Sequence, residues 1–415
     1  MSFPKSFLWG ASTAAYQIEG GNARSALWDW ERKKGWERSG EACRSWDLFD
    51  EDLKLIKALN LHAYRFSVEW SRVEPEPGRF DQSVIDRYVS WARKLGSEGI
   101  RPFVCLHHFS EPAWLLREHP EGWLDESVSG RFLTFATRVA RALAPVVSDW
   151  VTFNEPMVFL AGAYGFHQFP PGRWMLTDPR KQFIPVVMPH MAAAHKRVYG
   201  MLHDLQPHAN VGIAQNVAAV EPARPGDEAA AHTWDLFMHR SFIDMIRDSQ
   251  DYLGLNYYTR IFVSKTRVPW MPLGTLPGYA ELEKGLTWPV FKMLGGRRDG
   301  KPRTGMNWEV VPEAFGPLVL DYHKSYKKPI YIMENGMAEP SQITRTEFLR
   351  GHLSSLKSAM QAGADVRGYF HWSLLDNYEW GSYRPRFGLY TRARRPADGA
   401  DFYAAVAASG EIPNG

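Results

Sequence analysis

Short apolar runs recur along the chain and alternate with amphipathic stretches. Eight runs have the length of strands, and several are almost continuously apolar, which is typical of strands buried on both faces of a parallel sheet. Strands that alternate with helices in this way favour a (β/α)8 barrel over a doubly wound sheet. The eight runs are Phe7–Tyr16, His62–Val68, Arg101–His108, Asp149–Glu155, Val211–Asn216, Tyr252–Tyr258, Ile330–Glu334 and Val366–Leu374.

Helical periodicity is clearest in the connections that follow the first and second runs. Apolar residues recur there every three or four positions, over residues 48–59 and again over residues 84–95. Gly99 follows the second stretch and is typical of a helix stop. We therefore expect a helix in each of these connections, as a barrel requires.

Charge and composition exclude several classes of protein. The 415 residues carry 49 Lys and Arg against 46 Asp and Glu, a net charge of +3, with 23% charged and 45% hydrophobic residues. This balance excludes a disordered or fibrous chain and argues against a nucleic-acid-binding protein. The chain has no secretory signal pattern and no apolar run of about 18 residues, so we expect no membrane partner and a cytoplasmic location.

Cysteine and aromatic content narrow the chemistry further. The only cysteines are Cys43 and Cys105, and no Cys/His spacing fits a zinc site, so we expect neither a disulfide framework nor a metal. The chain contains 17 Trp, 17 Tyr and 23 Phe, or 14% aromatic residues. Flat apolar rings suit the faces of sugars, and large rings also fill cores. Composition therefore raises a carbohydrate site without settling it.

Two basic segments have open interpretations. Residues 264–303 are rich in proline and glycine and locally basic, so we predict a long loop after the sixth strand. In a barrel this loop lies on the active-site face, where it is either a solvated surface or part of a substrate site. We expect Arg392, Arg394 and Arg395 to be solvated.

Two strand runs end in a glutamate followed by a helix or strand breaker. The fourth run ends in Thr-Phe-Asn-Glu155-Pro, and the seventh ends in Met-Glu334-Asn-Gly. A carboxylate at the C-terminal end of a barrel strand favours a catalytic role, and two of them across the barrel mouth are what glycoside hydrolysis needs. Either glutamate alone could equally cap a helix or join an ion pair.

These two motifs resemble the signature motifs of glycoside hydrolase family 1, the retaining β-glycosidases. Five other segments match the family's pattern in the same order, namely 7–20, 64–72, 106–112, 253–258 and 372–380. The resemblance therefore spans residues 7 to about 403. The resemblance implies one TIM barrel over residues 1–415, with its active site at the C-terminal ends of the strands. It implies no metal or organic cofactor.

The resemblance also implies catalytic roles. Glu334 matches the nucleophile and Glu155 the acid/base, two groups that lie roughly 5–5.5 Å apart in retaining enzymes. Arg65 and Tyr258 match residues that contact the nucleophile, and Asn154 matches the residue that binds the sugar 2-hydroxyl. A structural ion pair for Arg65 and a turn-ordering role for Asn154 are the alternatives.

Five more positions match the family's glycone-binding set: Gln17, His108, Trp372, Glu379 and Trp380. For Trp372 the alternative is a core tryptophan. We interpret His107, which matches a variable family position, as structural. Phe109 replaces a tryptophan of many members, and the segment 381–385 is about one residue shorter than in many relatives, which leaves the position of Tyr383 open.

The resemblance predicts a small β-glycoside or oligosaccharide substrate. Phospho-specific family members lack an acidic residue at the position of Glu379, whose carboxylate would repel a phosphate dianion. We therefore predict hydrolysis of unphosphorylated β-glucosides, with galactose and fucose as further possible glycones. The alternatives are a 6-phospho-β-glycosidase and a catalytically silent sugar-binding barrel.

Overall fold

Eight parallel strands close into a barrel. The computed structural model describes residues 2–174, 183–265, 273–274 and 300–413. Each strand pairs with the next and the last pairs with the first, which confirms the predicted (β/α)8 barrel. The strands are β1 (Leu8–Ser12), β2 (Ala63–Ser67), β3 (Arg101–His107), β4 (Asp149–Asn154), β5 (Asn210–Pro222), β6 (Leu253–Ser264), β7 (Ile330–Asn335) and β8 (Val366–Trp372).

Helices lie between the strands and after them. Both stretches predicted from periodicity are helical, and Gly99, with φ of +72°, follows the second. None of the described helices is both long enough and apolar enough to cross a membrane. The α-helices are Ala15–Ile18, Ala26–Lys34, Ser45–Ala58, Trp70–Val73, Gln82–Ser97, Ala113–Glu118, Ser127–Leu143, Pro156–Tyr164, Met188–Leu205, Glu228–Trp234, Ser241–Met245, Pro312–Tyr326, Arg345–Gln361 and Ala400–Ser409.

Shorter elements complete the described chain. Gly122–Leu124 is a 3₁₀ turn, and Phe183–Val187 and Asp235–Arg240 are π-helical turns. A two-residue strand, Leu273–Gly274, pairs antiparallel with the end of β6.

Buried side chains fill the interior of the barrel and the space between the strands and the helices. Every residue of β2, β4 and β7 is buried, which explains why apolar residues occur on both faces of these strands. The interior cluster is Ala63, Phe103, Cys105, Val151, Ala214, Tyr252, Tyr331, Met333 and Phe370. Asn154 on β4 and Glu334 on β7 lie at or near the C-terminal ends of their strands, so the apolar packing below supports a polar rim.

The structure differs from the sequence-based elements in three places. The first run is a strand only to Ser12, and residues 15–18 form a helix. Strands β5 and β6 continue beyond their predicted ends because they pair with each other past the barrel, as far as Pro222 opposite Val263. Arg394 was expected to be solvated, which is wrong. Its Nε lies 2.8 Å from Asp52 Oδ1, because that buried carboxylate needs a cation.

The predicted loop over residues 264–303 lies largely outside the described residues. Within it, Ser264 is the last residue of β6, and Arg303 forms an ion pair of 2.8 Å with Glu309. The choice between a solvated loop and a substrate-contacting loop therefore stays a prediction.

The close approach of β5 and β6 predicts a steric limit at Gly254. A Cβ at this position would lie 2.3 Å from the carbonyl oxygen of Ile213, so the strands must separate to accept it. We expect Gly254→Ala to lower the free energy of unfolding by at least about 2 kcal/mol in a urea titration.

A matched control for this prediction is Gly200→Ala. Gly200 lies at an exposed helix position, and a Cβ added there would have no atom of the described residues within 4 Å, so alanine should raise the free energy of unfolding by up to about 1 kcal/mol. Equal unfolding free energies for wild type and Gly254→Ala would contradict the packing described for these strands.

Candidate active site

The C-terminal rim of the barrel brings the predicted site residues into one connected network. Contacts lead from Gln17 through Glu379 and Trp372 to His108, and from there through Asn154 and Arg65 to Glu334. Side chains from β2, β4, β6, β7 and β8 take part, together with residues that directly follow β3 and β4. All ten predicted residues belong to this rim, and all except the partly exposed Trp380 are buried.

Glu334, near the end of β7, is held by a cation and a phenol. Its Oε1 accepts a hydrogen bond of 2.7 Å from Arg65 Nη1, and its Oε2 accepts one of 2.7 Å from the Tyr258 hydroxyl. Burial raises the pKa of Glu334, while the guanidinium and the phenol act against that rise by stabilising the carboxylate. Both oxygens thus contact donors that favour the ionised form.

Glu155 has a different environment, in which no cation of the described residues contacts its carboxyl group. It follows β4 in the left-handed region, with φ of 45°, and precedes Pro156 at the start of the next helix. Its Oε1 accepts hydrogen bonds of 3.0 Å from Asn216 and 2.9 Å from Asn256. Burial and the charge of Glu334 raise the pKa of Glu155 to about 8, against the opposing effect of the two amides.

Asn154 connects the two carboxylates. Its Oδ1 accepts hydrogen bonds of 2.5 Å from Arg65 Nη2 and 3.1 Å from Asn256 Nδ2, and Asn256 also donates to Glu155. The Asn154 side chain therefore contacts the polar cluster rather than the backbone of its own turn. Arg65 likewise combines an ion pair inside the barrel with contacts to the rim, so its two proposed interpretations are compatible.

Glu379 lies on the other side of the network. Its Oε1 accepts a hydrogen bond of 3.0 Å from Trp372 Nε1, and its Oε2 accepts one of 3.2 Å from Gln17 Nε2. Burial, with a further contribution from the charge of Glu334, raises the pKa of Glu379 to about 8. Gln17 Nε2 also donates to Asn377 Oδ1 over 3.0 Å, so Asn377 helps to orient Gln17.

Aromatic rings form a wall beside these polar groups. The rings of Trp372 and Trp380 lie 5.7 and 5.9 Å from the imidazole of His108, both nearly parallel to it. Burial and the neighbouring Arg65 hold the pKa of His108 well below its usual range, so the imidazole is neutral. Trp372 is buried, as expected for a core tryptophan. Its indole N–H, however, donates a hydrogen bond to the Glu379 carboxyl group.

His107, Phe109 and Tyr383, which flank the predicted site residues, pack against other side chains or the backbone. His107 packs in the core, 3.3 Å from Glu111 Oε1 and among phenylalanine rings, as predicted. Phe109 is buried, and its ring lies 5.1 Å from the ring of Trp380, so it extends this group of aromatic side chains. The hydroxyl of Tyr383 donates to the carbonyl oxygen of Ser39, which answers the question of its position.

Sequence reasoning missed three asparagines that this network uses: Asn216, Asn256 and Asn377. Asn216 ends the fifth apolar run and Asn256 lies inside the matched segment 253–258, so polar residues within or at the end of apolar runs were a usable signal. Their partners were not predictable in the same way, because hydrogen bonds between distant strands depend on the register of the closed barrel.

Comparisons with known proteins show the family to which the chain is similar. The family model described as Glycosyl hydrolase family 1 matches residues 1–247 and 232–411. A bifunctional β-D-glucosidase/β-D-fucosidase from Bifidobacterium breve is 30% identical over 447 residues, which cover 94% of this chain and 93% of that protein. A β-galactosidase from Pyrococcus woesei is 28% identical over 483 residues, covering 94% of this chain and 92% of that protein.

Solved structures with the same fold are also similar over the full length. A β-glycosidase from Pyrococcus horikoshii superposes with a TM-score of 0.86 at 31% identity, covering 100% of this chain and 96% of the other. A β-glucosidase from Thermotoga maritima in complex with castanospermine gives a TM-score of 0.85 at 26% identity, covering 100% of both chains. The family match extends over nearly the whole sequence, and the chain therefore belongs to glycosyl hydrolase family 1.

Proposed function

We propose that this protein is a retaining exo-β-glycosidase that hydrolyses β-glucosides, with β-galactosides and β-fucosides as further substrates. The observation that carries the proposal is the unequal environment of two buried carboxylates on one rim. Glu334 contacts a guanidinium and a phenol, whereas the described side chains that donate to Glu155 are neutral amides. Carboxylates separated in pKa in this way suit the nucleophile and the proton donor of double displacement.

In the first step, Glu334 attacks the anomeric carbon as a carboxylate. Arg65 and Tyr258 keep it ionised and oriented, since both of its oxygens are already hydrogen-bonded. Glu155 protonates the leaving oxygen as the glycosidic bond breaks, because its raised pKa keeps it protonated near neutral pH. A covalent glycosyl-enzyme results, in which Glu334 no longer carries a charge.

In the second step, Glu155 acts as a base. Loss of the Glu334 charge removes one of the causes of its raised pKa, so the group that donated a proton now accepts one from water. That water attacks the anomeric carbon and releases Glu334, which restores the original configuration. Asn154 contacts the same guanidinium as Glu334 and is proposed to bind the 2-hydroxyl of the sugar.

The part of the site formed by Gln17, Glu379, Trp372 and Trp380 is proposed to bind the glycone. The Oε1 atom of Gln17 is buried without a hydrogen-bond partner in the described part of the chain, so a sugar hydroxyl is a suitable donor to it. Glu379 lies beside it and accepts or donates according to its protonation, and Trp372 and Trp380 supply apolar ring surface. The Glu379 carboxyl group offers no positive charge to a phosphate, and its ionised form repels one, which disfavours a phosphorylated sugar.

Names of the relatives support this choice of substrates. The similar proteins include a β-D-glucosidase/β-D-fucosidase, a β-galactosidase and a β-glucosidase that binds castanospermine. Both carboxylates and their hydrogen-bond partners are present here, which favours catalysis over a silent sugar-binding barrel.

The nucleophile assignment predicts the behaviour of Glu334→Ala. Hydrolysis of an aryl β-glucoside should fall by roughly 10⁴-fold or more, because no group remains to form the covalent intermediate. Azide should restore turnover and give the α-glycosyl azide, detected by NMR. Binding of a glucose-configured imino sugar to the variant serves as the control for folding, and normal hydrolysis by this variant would contradict the assignment.

The acid/base assignment predicts an effect that depends on the leaving group. In Glu155→Ala, substrates with poor leaving groups should slow by roughly 10²- to 10⁴-fold in kcat/KM, since they need protonation. Aryl glycosides with acidic phenols should slow far less, and azide should now give the β-glycosyl azide. The measurement is a plot of log kcat/KM against leaving-group pKa, and an equal loss for every substrate would exclude this role.

The electrostatics of the pair predict the pH profile. Because Glu155 must be protonated to act as the acid, kcat/KM for a poor leaving group should fall as pH rises through about 8. The acidic limb reports protonation of Glu334 and should lie above the ordinary glutamate range, since burial raises that pKa. The two groups titrate as a coupled pair.

Asn216→Ala tests the direction in which the alkaline limb of this profile should move. It removes an N–H that stabilises the Glu155 carboxylate, so the pKa rises and the alkaline limb should move to higher pH. An alkaline limb that persists unchanged in Glu155→Gln would show that another group causes it.

A further inference from the structure

Two of the proposed glycone-binding residues, Glu379 and Trp380, lie in an irregular loop. Residues 378–383 belong to no helix or strand, and Trp380 and Gly381 have φ values of 43° and 124°. Within the loop, the Glu379 N–H donates to the Ser382 carbonyl over 2.8 Å, and the Trp380 N–H donates to the Tyr378 carbonyl over 3.1 Å. Contacts from elsewhere must therefore hold the conformation that presents these side chains to a sugar.

Gln17 and Trp372 contact the Glu379 side chain, and a second segment, which we call the strap, supplies further contacts to the loop. The strap comprises residues 35–39, directly after the helix Ala26–Lys34. It is itself well anchored, because the buried carboxylate of Glu31 accepts hydrogen bonds of 3.2 Å from the Ser39 N–H and 2.7 Å from the Tyr16 hydroxyl. The strap is thus a rigid support and not a free loop.

Glu37 is the centre of the contact between the strap and the loop. Its N–H donates to the Gly381 carbonyl over 3.1 Å, and its own carbonyl accepts a hydrogen bond of 2.7 Å from the Tyr378 hydroxyl. Its Oε2 accepts hydrogen bonds from the Tyr383 N–H over 2.9 Å and from the Ser382 hydroxyl over 3.4 Å. One residue therefore contacts four of the six residues of the loop.

We propose that Glu37 is a positioning residue that sets the affinity for the glycone by holding the loop 378–383 in its binding conformation. The proposal rests on the proposed function, since Glu379 and Trp380 are the groups it positions. The Glu37 carboxylate does not contact either of them directly. It acts through Ser382 and Tyr383, which follow them in the chain.

The physical effect is on the population of the binding-competent loop. Without the carboxylate, the loop samples other conformations, and each binding event must first select the competent one, which raises the apparent dissociation constant. Once the sugar is bound the loop is ordered again. The reacting carboxylates are held by Arg65, Tyr258 and the asparagines, none of which contacts the strap in the described hydrogen-bond network, so the chemical step is preserved.

The size of the effect follows from the exposure of Glu37. Its carboxylate is accessible to water, and the backbone contacts of the strap remain in every variant. Two solvent-accessible hydrogen bonds to a carboxylate correspond to roughly a five- to tenfold change in affinity.

The test compares four variants of the full-length protein with two aryl β-glucosides that differ only in their aglycone. Glu37→Ala should raise KM by roughly five- to tenfold and by the same factor for both substrates, with kcat within about twofold of wild type. The inhibition constant of a glucose-configured imino sugar should rise by that factor too. Glu37→Gln keeps an acceptor oxygen in place and should restore KM, whereas Glu37→Asp is too short and should behave like alanine.

Glu41→Ala is the matched control, because Glu41 is an exposed carboxylate just beyond the strap whose ion-pair partner is Arg44 at 3.7 Å. It should leave KM unchanged. An unchanged KM in both Glu37→Ala and Glu37→Asp, or a failure of Glu37→Gln to restore it, would overturn the proposal, as would a loss confined to thermal stability. A wild-type protein inactive on every β-glycoside would instead contradict the proposed function.

Discussion

A guanidinium group inside the barrel holds the site together. Arg65 is fully buried on β2, and its charge is balanced by Glu334 on β7 at 2.7 Å. A buried charge is tolerated only when it is paired and hydrogen-bonded, and removing one member of such a pair costs about 3–5 kcal/mol. The same guanidinium also binds Asn154 on β4, so one cation ties three strands of the rim together.

The ion pair also makes Glu334 and Glu155 differ in how readily they ionise. Within the part of the chain that the structure describes, Glu334 contacts the Arg65 guanidinium, whereas Glu155 accepts its hydrogen bonds from the amides of Asn216 and Asn256. Each negative charge disfavours ionisation of the other, so the glutamate without the cation retains a proton to a higher pH. The proposed nucleophile and proton donor therefore differ because of their partners and not because of their own chemistry.

Much of the fold and of the site followed from local patterns. The eight apolar runs correspond to the eight strands, because strands buried on both faces are enriched in apolar residues on both faces. Glu155 and Glu334 were visible as polar residues at the ends of such runs. Strand ends were less predictable: β5 and β6 extend beyond the barrel because each satisfies the other's backbone, which no local pattern records.

Residues that act through distant partners were beyond local patterns. Asn216 and Asn256 reach Glu155 from different strands, and Arg394 pairs with Asp52 across 342 positions of the chain. Glu37 is an exposed glutamate in a short connection, and nothing in its neighbours along the chain distinguishes it from Glu41. Only the folded arrangement of the strap against the loop 378–383 gives it four partners.

Local sequence was enough to predict the barrel, the family and the two candidate catalytic carboxylates, because apolar periodicity and short motifs are properties of neighbouring residues. The closed barrel was needed to show how closely Arg65 and Tyr258 approach Glu334, which amides contact Glu155, and how the loop 378–383 is supported. Those features are hydrogen bonds and charges between segments far apart in the chain, and their energies depend on distances that exist only once the chain has folded.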